Sequence, residues 1–539
     1  SQYDNKRDEY DTVANRLQLA MRGLGGPNCD YANGTPGADG CLYFNPFSNA
    51  VSSNFLTGQA NPGYNPAVAN SNEVIGWFYQ RADQARASDR LFEGNLVFNG
   101  ESELELPGGA IAYAVGAQWR REGLISNPAA QSSRQINGCT DSLTPDIQTS
   151  SLCTPQLGPF VFLGQINEFD DSRNIYAAFA EFELPLTETL DLTIAGRYED
   201  YGDRGGDTAN PKVSLRWQAH DALAFRASYS TTFRAPSLTQ LSPNTGIGLR
   251  NVFGSFRGIA TTGNPNLKPE TADTYSFGAI FNSDGLKVSL DYYNYKMEEV
   301  LGSEVLETVL SNIFQGGTTC STAVVDQAYI DSHLDYAGDC TTANITQVNL
   351  LGINQGVIET DGYDFLADYR IPITVWDADL AIGGSASYVN SYTVNGVEAA
   401  GFANSFGTGI AVPMPRVKAE LYAEANRGAH NLRVSLRHIG TYDDNRASVF
   451  TATNANTQTS PAITAAQAAA LTYMGREIKA QNQVDLTYRV QLPSDTTLAI
   501  AVQNVFDKAP PFARTELSYD PLTGNPLGRT IQINVKKAF

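Results

Sequence analysis

The chain is poor in the residues that build metal and redox sites, with only four histidines and four methionines in 539 residues. It contains no HExxH, GxSxG or phosphate-loop pattern and no convincing Cys/His pair. We therefore expect no cofactor and no enzymatic activity. A formal net charge of -20 argues against a nucleic-acid partner, because phosphates bind to basic surfaces.

Long apolar runs are also missing. The mean hydropathy is -0.26, and no stretch is long enough for a membrane-spanning helix. No secretory signal opens the chain, so we expect an N-terminus that is mature, processed or truncated. These absences leave a barrel open, because each barrel strand needs only about 9–11 alternating residues. The 26 tyrosines and 25 phenylalanines suit the interface girdles of a barrel, and they also suit a β-rich secreted protein.

Six cysteines fall into three close pairs inside loops rich in glycine, proline, asparagine and threonine. The pattern predicts three disulfides formed in an oxidising compartment, although the sequence alone does not fix the pairing. A metal site is the alternative, but CxxC spacing is absent and only His333 lies near any pair. The pairs are Cys29 with Cys41, Cys139 with Cys153, and Cys320 with Cys340.

Alternation of apolar and polar residues predicts about fifteen strands from residue 87 onward. On the strand at 286–299, Leu286, Val288 and Leu290 form an apolar face opposite Lys287 and Asp291. The polar faces fit a wet lumen, or alternatively the solvated side of a soluble sheet. The predicted strands are 87–103, 109–121, 174–184, 190–201, 208–219, 222–232, 271–281, 286–299, 357–370, 378–391, 416–426, 431–442, 479–492, 496–506 and 529–539.

Short turns alternate with long connections along these strands, and every cysteine from residue 87 onward lies in a long connection. An outer-membrane barrel has this arrangement, whereas a β-sandwich does not separate its loops by length so regularly. The fold prediction is all-β: a transmembrane antiparallel β-barrel at 87–539, preceded by an extracellular loop region at 1–86 with a disulfide. The long connections are 122–173, 233–270, 300–356, 392–415, 443–478 and 507–528.

The last predicted strand alternates up to Phe539, which favours a closing strand whose terminal aromatic residue serves barrel closure and assembly. The alternative is a C-terminal strand of a β-sandwich.

Three short stretches carry a family resemblance: FRAPS within 230–237, NPNLKPE at 264–270 and NVFD at 504–507. Together with Phe539 they resemble TonB-dependent outer-membrane receptors, and the resemblance covers nearly the whole chain.

The resemblance implies import of a scarce nutrient across the bacterial outer membrane with TonB-coupled energy. It also implies a barrel of about 22 strands and a plug domain ahead of it. No plug is visible, and the first and last of the fifteen strands run the same way, so we expect an odd number of missing strands. The hypothesis is a C-terminal barrel part, truncated in an extracellular loop near Ser1. The expected partners are a separate plug-containing N-terminal fragment, the TonB complex, outer-membrane lipid and the barrel-assembly machinery.

The ligand cannot be read from the sequence. Tyr43, Phe44 and Phe47 are loop candidates that could stack on a sugar or aromatic substrate, and packing among stapled loops is the alternative. A second function remains open, namely a passive porin-like channel or a surface adhesin.

Overall fold

The computed structural model describes most of the chain. Phe539, Cys139 and Cys153 lie outside the described residues, so the predictions made for them stay predictions. The described residues are 2–53, 59–129, 132–133, 160–161, 163, 167–203, 205–242, 245–372, 377–404, 412–445, 476–515 and 517–538.

Strands dominate the described residues, and helices occur only in the connections. In chain order the strands are β1 (Gln2–Thr12), β2 (Tyr79–Leu106), β3 (Gly109–Pro128), β4 (Phe169–Thr187), β5 (Leu190–Asp200), β6 (Asp207–His220), β7 (Leu223–Arg234), β8 (Thr245–Val252), β9 (Ser255–Thr262), β10 (Glu270–Ser283), β11 (Leu286–Glu298), β12 (Leu301–Ser303), β13 (Leu334–Tyr336), β14 (Ile345–Asn354), β15 (Val357–Arg370), β16 (Asp379–Val394), β17 (Val397–Glu398), β18 (Val417–Arg427), β19 (His430–Ile439), β20 (Tyr442–Asp443), β21 (Glu477–Ile478), β22 (Gln481–Leu492), β23 (Thr496–Gln503) and β24 (Thr530–Lys537). The α-helices are Ala14–Met21, Asn72–Phe78, Leu238–Leu241, Leu306–Phe314 and Gln327–His333, and Pro66–Val68 and Cys320–Thr322 are 3-10 turns.

Seventeen of these strands form one sheet in which neighbours run antiparallel. Successive strands pair from β1 to β7; β7 then pairs with β10, β11 with β15, β16 with β18 and β19 with β22. The skipped strands belong to long connections, which all emerge at one end of the sheet, while tight turns join the strands at the other. No helix among the described residues is both long and apolar enough to cross a membrane.

The two faces of the sheet differ in polarity, as the alternation predicted. One face exposes apolar and aromatic side chains, which suits contact with hydrocarbon. Tyrosines from five strands lie at one level of this face, with ring centroids 6.1 Å apart for Tyr275 and Tyr292 and 5.3 Å for Tyr292 and Tyr363. The row fits an interfacial girdle. Its members are Tyr229, Tyr275, Tyr292, Tyr363 and Tyr388.

The opposite face carries ion pairs that reach across an intervening strand. Arg226 on β7 donates to both carboxylate oxygens of Asp291 on β11, at 2.7 and 2.6 Å, although β10 lies between them. Gly278 on β10 makes the crossing possible, because a Cβ there would overlap the Asp291 carboxylate. On β16, Gly383 leaves the same space beneath the hydrogen bond from Tyr422 to Asp368. Glycine on a middle strand therefore lets polar groups join strands that are not neighbours.

One prediction about the wall was wrong. All fifteen predicted strands are present, but β1 pairs with β2 through Tyr79 to Arg90, so a further strand lies where the sequence indicated only loop. The seventeen-stranded sheet therefore holds sixteen long strands and the two-residue β17. Because β1 runs opposite to β2, the first and last strands now run in opposite directions, and the inference of an odd number of missing strands fails. The sequence of β1 is polar on both faces, which removes the alternation signal.

Candidate ligand-binding site

Two long connections fold together into a compact unit, the loop lobe (residues 235–269 and 299–356). Its five-stranded sheet contains β8, β9, β12, β13 and β14, with β9 and β14 parallel. Two helices, Leu306–Phe314 and Gln327–His333, add side chains to the same core, which is the largest apolar cluster among the described residues. Its buried members are Val252, Ile259, Leu306, Val309, Ile313, Phe314, Ile330, Leu334, Ile345, Val348 and Leu350.

The FRAPS and NPNLKPE stretches attach the loop lobe to the wall. Arg234, at the end of β7, donates to both carboxylate oxygens of Glu270 at 2.6 and 2.9 Å. The same carboxylate accepts the backbone N–H of Leu301, the first residue of β12, at 3.0 Å. A bidentate charge-assisted pair fixes both distance and orientation. These motifs therefore build a joint between wall and lobe.

A second contact supports the joint from the other side. The Asn354 side chain accepts the N–H of Lys268 at 2.9 Å and donates to the carbonyl oxygens of Lys268 and Glu299, both at 2.8 Å. Next to it, Leu241 and Leu267 pack with the start of β12 in a small buried cluster. Hydrogen bonds therefore attach the lobe to the wall at the points where the chain passes from one to the other.

A cavity of about 570 Å³ lies in the loop lobe, and Arg234, at the end of β7, is the lining residue that belongs to the wall. Its size falls in the range of small-molecule sites. Gly246 and Gly248 line one side, and a Cβ on either would meet nothing within 4 Å, so the strand backbone faces open space there. Two cations, two acids and an apolar floor can together hold a ligand with both charged and hydrophobic parts. The side chains that give this character are Arg234, Arg250, Glu304, Glu307, Ile259, Leu306 and Leu350.

A second group of connections, the polar loop cluster (residues 399–404, 440–445, 476–480 and 507–529), covers another part of the same end. Tyr442 donates to Asp520 at 2.5 Å, and Thr523 also donates to that carboxylate, at 2.8 Å. Burial and the hydrogen bond to Asp520 raise the pKa of Tyr442 above its ordinary value. Nearby, Arg514 and Asp444 form a buried ion pair with 3.0 Å between Nε and Oδ2. Buried polar groups thus tie these connections together.

The polar loop cluster borders a cavity of about 380 Å³ on the polar face of the wall. Thr523 and Asn525 contribute from the connection, and amide, hydroxyl and charged groups contribute from β16, β18, β19, β22 and β23. Such a lining suits polar groups with many hydrogen-bonding atoms. Its wall-borne members include Ser385, Ser387, Lys418, Glu420, Arg437, Gln483 and Gln503.

The three aromatic candidates do not form one surface. Phe44 packs edge-on against Phe78 with ring centroids 4.9 Å apart, beside a small apolar cluster. The Tyr43 ring lies against Gly23 and Gly37, where a Cβ would collide with it. Phe47 is 91% exposed. The structure places none of the three among the residues that line the two cavities above, and their role in binding stays a prediction.

Two of the predicted disulfides are present, Cys29–Cys41 and Cys320–Cys340. The first closes a turn in the connection that follows β1, and the second closes residues 320–340 of the loop lobe, which contain the helix Gln327–His333. The pairing by nearest neighbours is therefore correct for both.

The residues that line the larger cavity were missed from the sequence, although one signal was available. Leu306, Val309 and Ile313 are spaced by three and four residues, which is the period of a helix with one buried face.

The NVFD stretch also has a local role: Asn504 accepts the N–H of Lys508 at 3.0 Å, and Asp507 accepts that of Arg529 at 2.8 Å. It forms the turn at which β23 ends.

An antiparallel sheet with one apolar and one polar face, and long connections at one end, defines the class of outer-membrane β-barrel proteins. A family model described as TonB dependent receptor-like, beta-barrel matches residues 4–505. The chain therefore belongs to this receptor family, whose members are outer-membrane proteins of bacteria.

Curated relatives match parts of the chain. It is 31% identical over 126 residues to the iron-regulated outer membrane virulence protein of Vibrio cholerae, covering 23% of this chain and 18% of that protein. It is 27% identical over 165 residues to the hemin receptor of Yersinia enterocolitica, covering 29% and 24%. A match to the vitamin B12 transporter of Vibrio cholerae is 22% identical over 272 residues and covers 45% and 41%. Two of these relatives are named as a receptor and a transporter, and each match spans less than half of the relative's length.

Solved structures share the fold. The ferric enterobactin receptor of Pseudomonas aeruginosa superposes with a TM-score of 0.55 at 16% identity, covering 91% of this chain and 57% of that one. The siderophore receptor of Acinetobacter baumannii gives 0.53 at 14%, covering 91% and 58%. At these identities the likeness shows the fold alone.

Proposed function

We propose that this chain is the barrel part of an outer-membrane receptor that captures a scarce nutrient at its extracellular loops. Import then uses TonB-coupled energy. The observation that carries the proposal is the cavity of about 570 Å³ in the loop lobe, which the Arg234–Glu270 pair attaches to the wall. A fixed cavity at the mouth of a barrel suits capture of a ligand before passage through the lumen.

The ligand class that fits best is a metal chelate or a metal-containing ring. Relatives are named for iron regulation, hemin and vitamin B12, and such ligands combine charged groups with a large apolar surface. Arg250 and Glu307 offer charge at the cavity, and Leu306 and Leu350 offer apolar contact. Stacking on Tyr43 or Phe47 is a further proposal for the outer loops.

We further propose that a separate piece of the receptor supplies the plug and the contact with the TonB complex. The wall would then be completed to about 22 strands by that piece, with Phe539 in the closing strand. The barrel-assembly machinery and outer-membrane lipid are the other proposed partners. Intact mass under denaturing conditions tests this: we expect a second fragment in a closed, detergent-purified receptor, and a single 58.2 kDa chain would contradict it.

The binding experiment uses the purified receptor in detergent with ferric enterobactin, hemin and cyanocobalamin as separate probes. We expect one of them to bind, and Arg250→Ala to weaken that binding at least tenfold because it removes a cavity cation. Arg427→Ala is the matched control, because Arg427 lies at the opposite end of the wall in an exposed pair with Asp377. An equal loss of affinity in both variants would contradict a role of this cavity in ligand binding.

A passive channel or a surface adhesin remains the second candidate, favoured only by the polar inner face of the wall. Conductance in planar bilayers separates the two. A receptor containing its plug should stay closed to ions, whereas a passive channel should conduct steadily.

A further inference from the structure

Two arginines face each other across the hairpin that β8 and β9 form in the loop lobe. Arg250 and Arg257 are direct partners in its register. Directly opposite residues of an antiparallel pair carry their side chains on the same face, with Cβ atoms about 5 Å apart, so like charges repel there. Arg250 lines the cavity of about 570 Å³. Two positive charges therefore lie side by side at this cavity.

The charges of this arginine pair are not neutralised within the lobe. Among the residues that the structure describes, no carboxylate forms an ion pair with either guanidinium group. The Nη2 of Arg257 donates to the carbonyl oxygen of Ala343 at 2.8 Å, while its Nε is buried and has no acceptor among the described residues. A buried N–H without an acceptor is unfavourable. An anionic group bound to the pair would offset both charges and bring an acceptor close to this N–H.

The acids of the cavity lie apart from the arginine pair. The carboxylate of Glu304 accepts the N–H of Leu351 at 2.9 Å. Leu351 pairs with Thr262, five residues along β9 from Arg257, which is a distance of about 16 Å along the strand. Glu307 lies in the first turn of the following helix and forms no ion pair with either arginine. The cavity therefore has a cationic end at the hairpin and an acidic end near β12.

The third cation of the cavity is already paired, because Arg234 donates to both carboxylate oxygens of Glu270. The positive charge open to a ligand is therefore that of the hairpin pair. Gly248 lies two residues before Arg250 and so on the same face of β8, where a Cβ would meet nothing within 4 Å. A ligand group can thus approach the pair along the bare strand backbone, and Leu306 and Leu350 offer apolar contact in the same cavity.

We propose that Arg250 and Arg257 form an anion site that binds a carboxylate or phosphate group of the ligand. Two guanidinium groups present parallel N–H donors that match the oxygens of such groups and bind them in a bidentate manner. The ligand is then an acidic molecule whose apolar part lies against Leu306 and Leu350. The anion site itself is a property of the lobe, and only its use by the captured nutrient rests on the proposed function.

Hydrogen exchange on the full chain in detergent tests the site without any nutrient. Inorganic phosphate and citrate are the probes, each compared with chloride at equal ionic strength. At about ten times the dissociation constant of the probe, we expect exchange of peptides covering 245–262 to slow about tenfold in the wild type. Arg427→Ala, at the opposite end of the wall, should respond like the wild type.

Charge reversal gives the sharpest variant. Arg250→Glu converts the like-charged pair into a cross-strand ion pair with Arg257, so we expect slower exchange of the hairpin in chloride and no response to either probe. Arg250→Gln keeps the test decisive if the reversal disturbs the hairpin. It should also lose the response, and in chloride at low ionic strength its hairpin should exchange more slowly than the wild type, because one repelling charge is gone.

Two results would overturn the anion site: no response to either probe in the wild type, or an equal response in the wild type and both variants, which means an adventitious ion only. Neither result touches the receptor proposal, which the binding of ferric enterobactin, hemin and cyanocobalamin tests separately. If one of these three binds equally to the wild type and to Arg250→Glu, capture does not use the anion site. If phosphate protects the hairpin and none of the three binds, the anion site stands without the proposed nutrient class.

Discussion

The loop lobe and the polar loop cluster cover the same end of one sheet but are stabilised in opposite ways. The lobe has a continuous apolar core around Phe314 and Ile345, with a disulfide beside it. Among the residues that the structure describes, the cluster has a four-residue apolar contact, and it relies on buried polar groups, chiefly Arg514 with Asp444 and Tyr442 with Asp520. A buried apolar core tolerates changes of pH, whereas a buried ion pair is stable only while both partners remain.

The largest expected effect concerns the core of the lobe. Phe314→Ala removes a fully buried ring that meets Phe253 edge-on at 5.4 Å, and we expect about 4 kcal/mol of lost stability for the lobe. Hydrogen exchange of the helices Leu306–Phe314 and Gln327–His333 measures it. The exposed Phe47→Ala should change protection of these helices by less than about 0.5 kcal/mol. Similar losses in both variants would contradict a core-based lobe.

The buried ion pair of the polar loop cluster comes next. Arg514→Met leaves the Asp444 carboxylate buried without this partner, so we expect about 3 kcal/mol of local destabilisation, seen as exchange at 440–445 and 511–515. The double variant Arg514→Met with Asp444→Leu should recover most of the loss, because neither charge of this pair then remains buried. If the single and double variants lose equally, the pair does not hold the cluster.

Removal of the lobe disulfide should have a smaller effect. Replacing Cys320 and Cys340 by serine opens a loop of 20 residues, which we expect to lower the stability of the lobe by about 2 kcal/mol. The same change at Cys29 and Cys41 should leave the lobe unaffected, since that disulfide lies in another connection. Chemical denaturation followed by exchange at Gln327–His333 compares the two. A lobe that unfolds completely without its disulfide would show that the apolar core is insufficient.

The smallest effect is a pH dependence confined to the polar loop cluster. Burial and Asp520 raise the pKa of Tyr442, so the stabilisation that its protonated hydroxyl gives to the cluster is complete below the ordinary tyrosine pKa near about 10. This stabilisation is lost as the pH rises above that value, by at most about 1.4 kcal/mol for each pH unit. Exchange at 442–445 between pH 9 and 11 measures the loss. Tyr442→Phe should remove this dependence, and the lobe helices should not show it.

The sequence predicted the wall better than the connections, for a physical reason. Strand alternation depends only on which side of the sheet a residue faces, so fifteen strands could be found from neighbouring residues alone. β1 escaped because both sets of alternating positions are polar, with Asp4 and Lys6 in one set and Asn5 and Arg7 in the other. The cavity could not be predicted in the same way, because β9 and β14 pair in parallel across about ninety residues of chain. Likewise, nothing local to Arg234 indicates that Glu270 and Leu301 will complete its joint.

The glycine beneath the Arg226–Asp291 pair has a consequence for how the wall can vary. Three positions on three strands form one unit, in which the outer two can be charged only while the middle one has no side chain. Variation at 226, 278 and 291 should therefore be inherited as a triplet, with correlations between strands that never touch through their backbones. A pairwise map of covarying positions would place β7 beside β11 and would misassign the register of the wall unless Gly278 is considered with them.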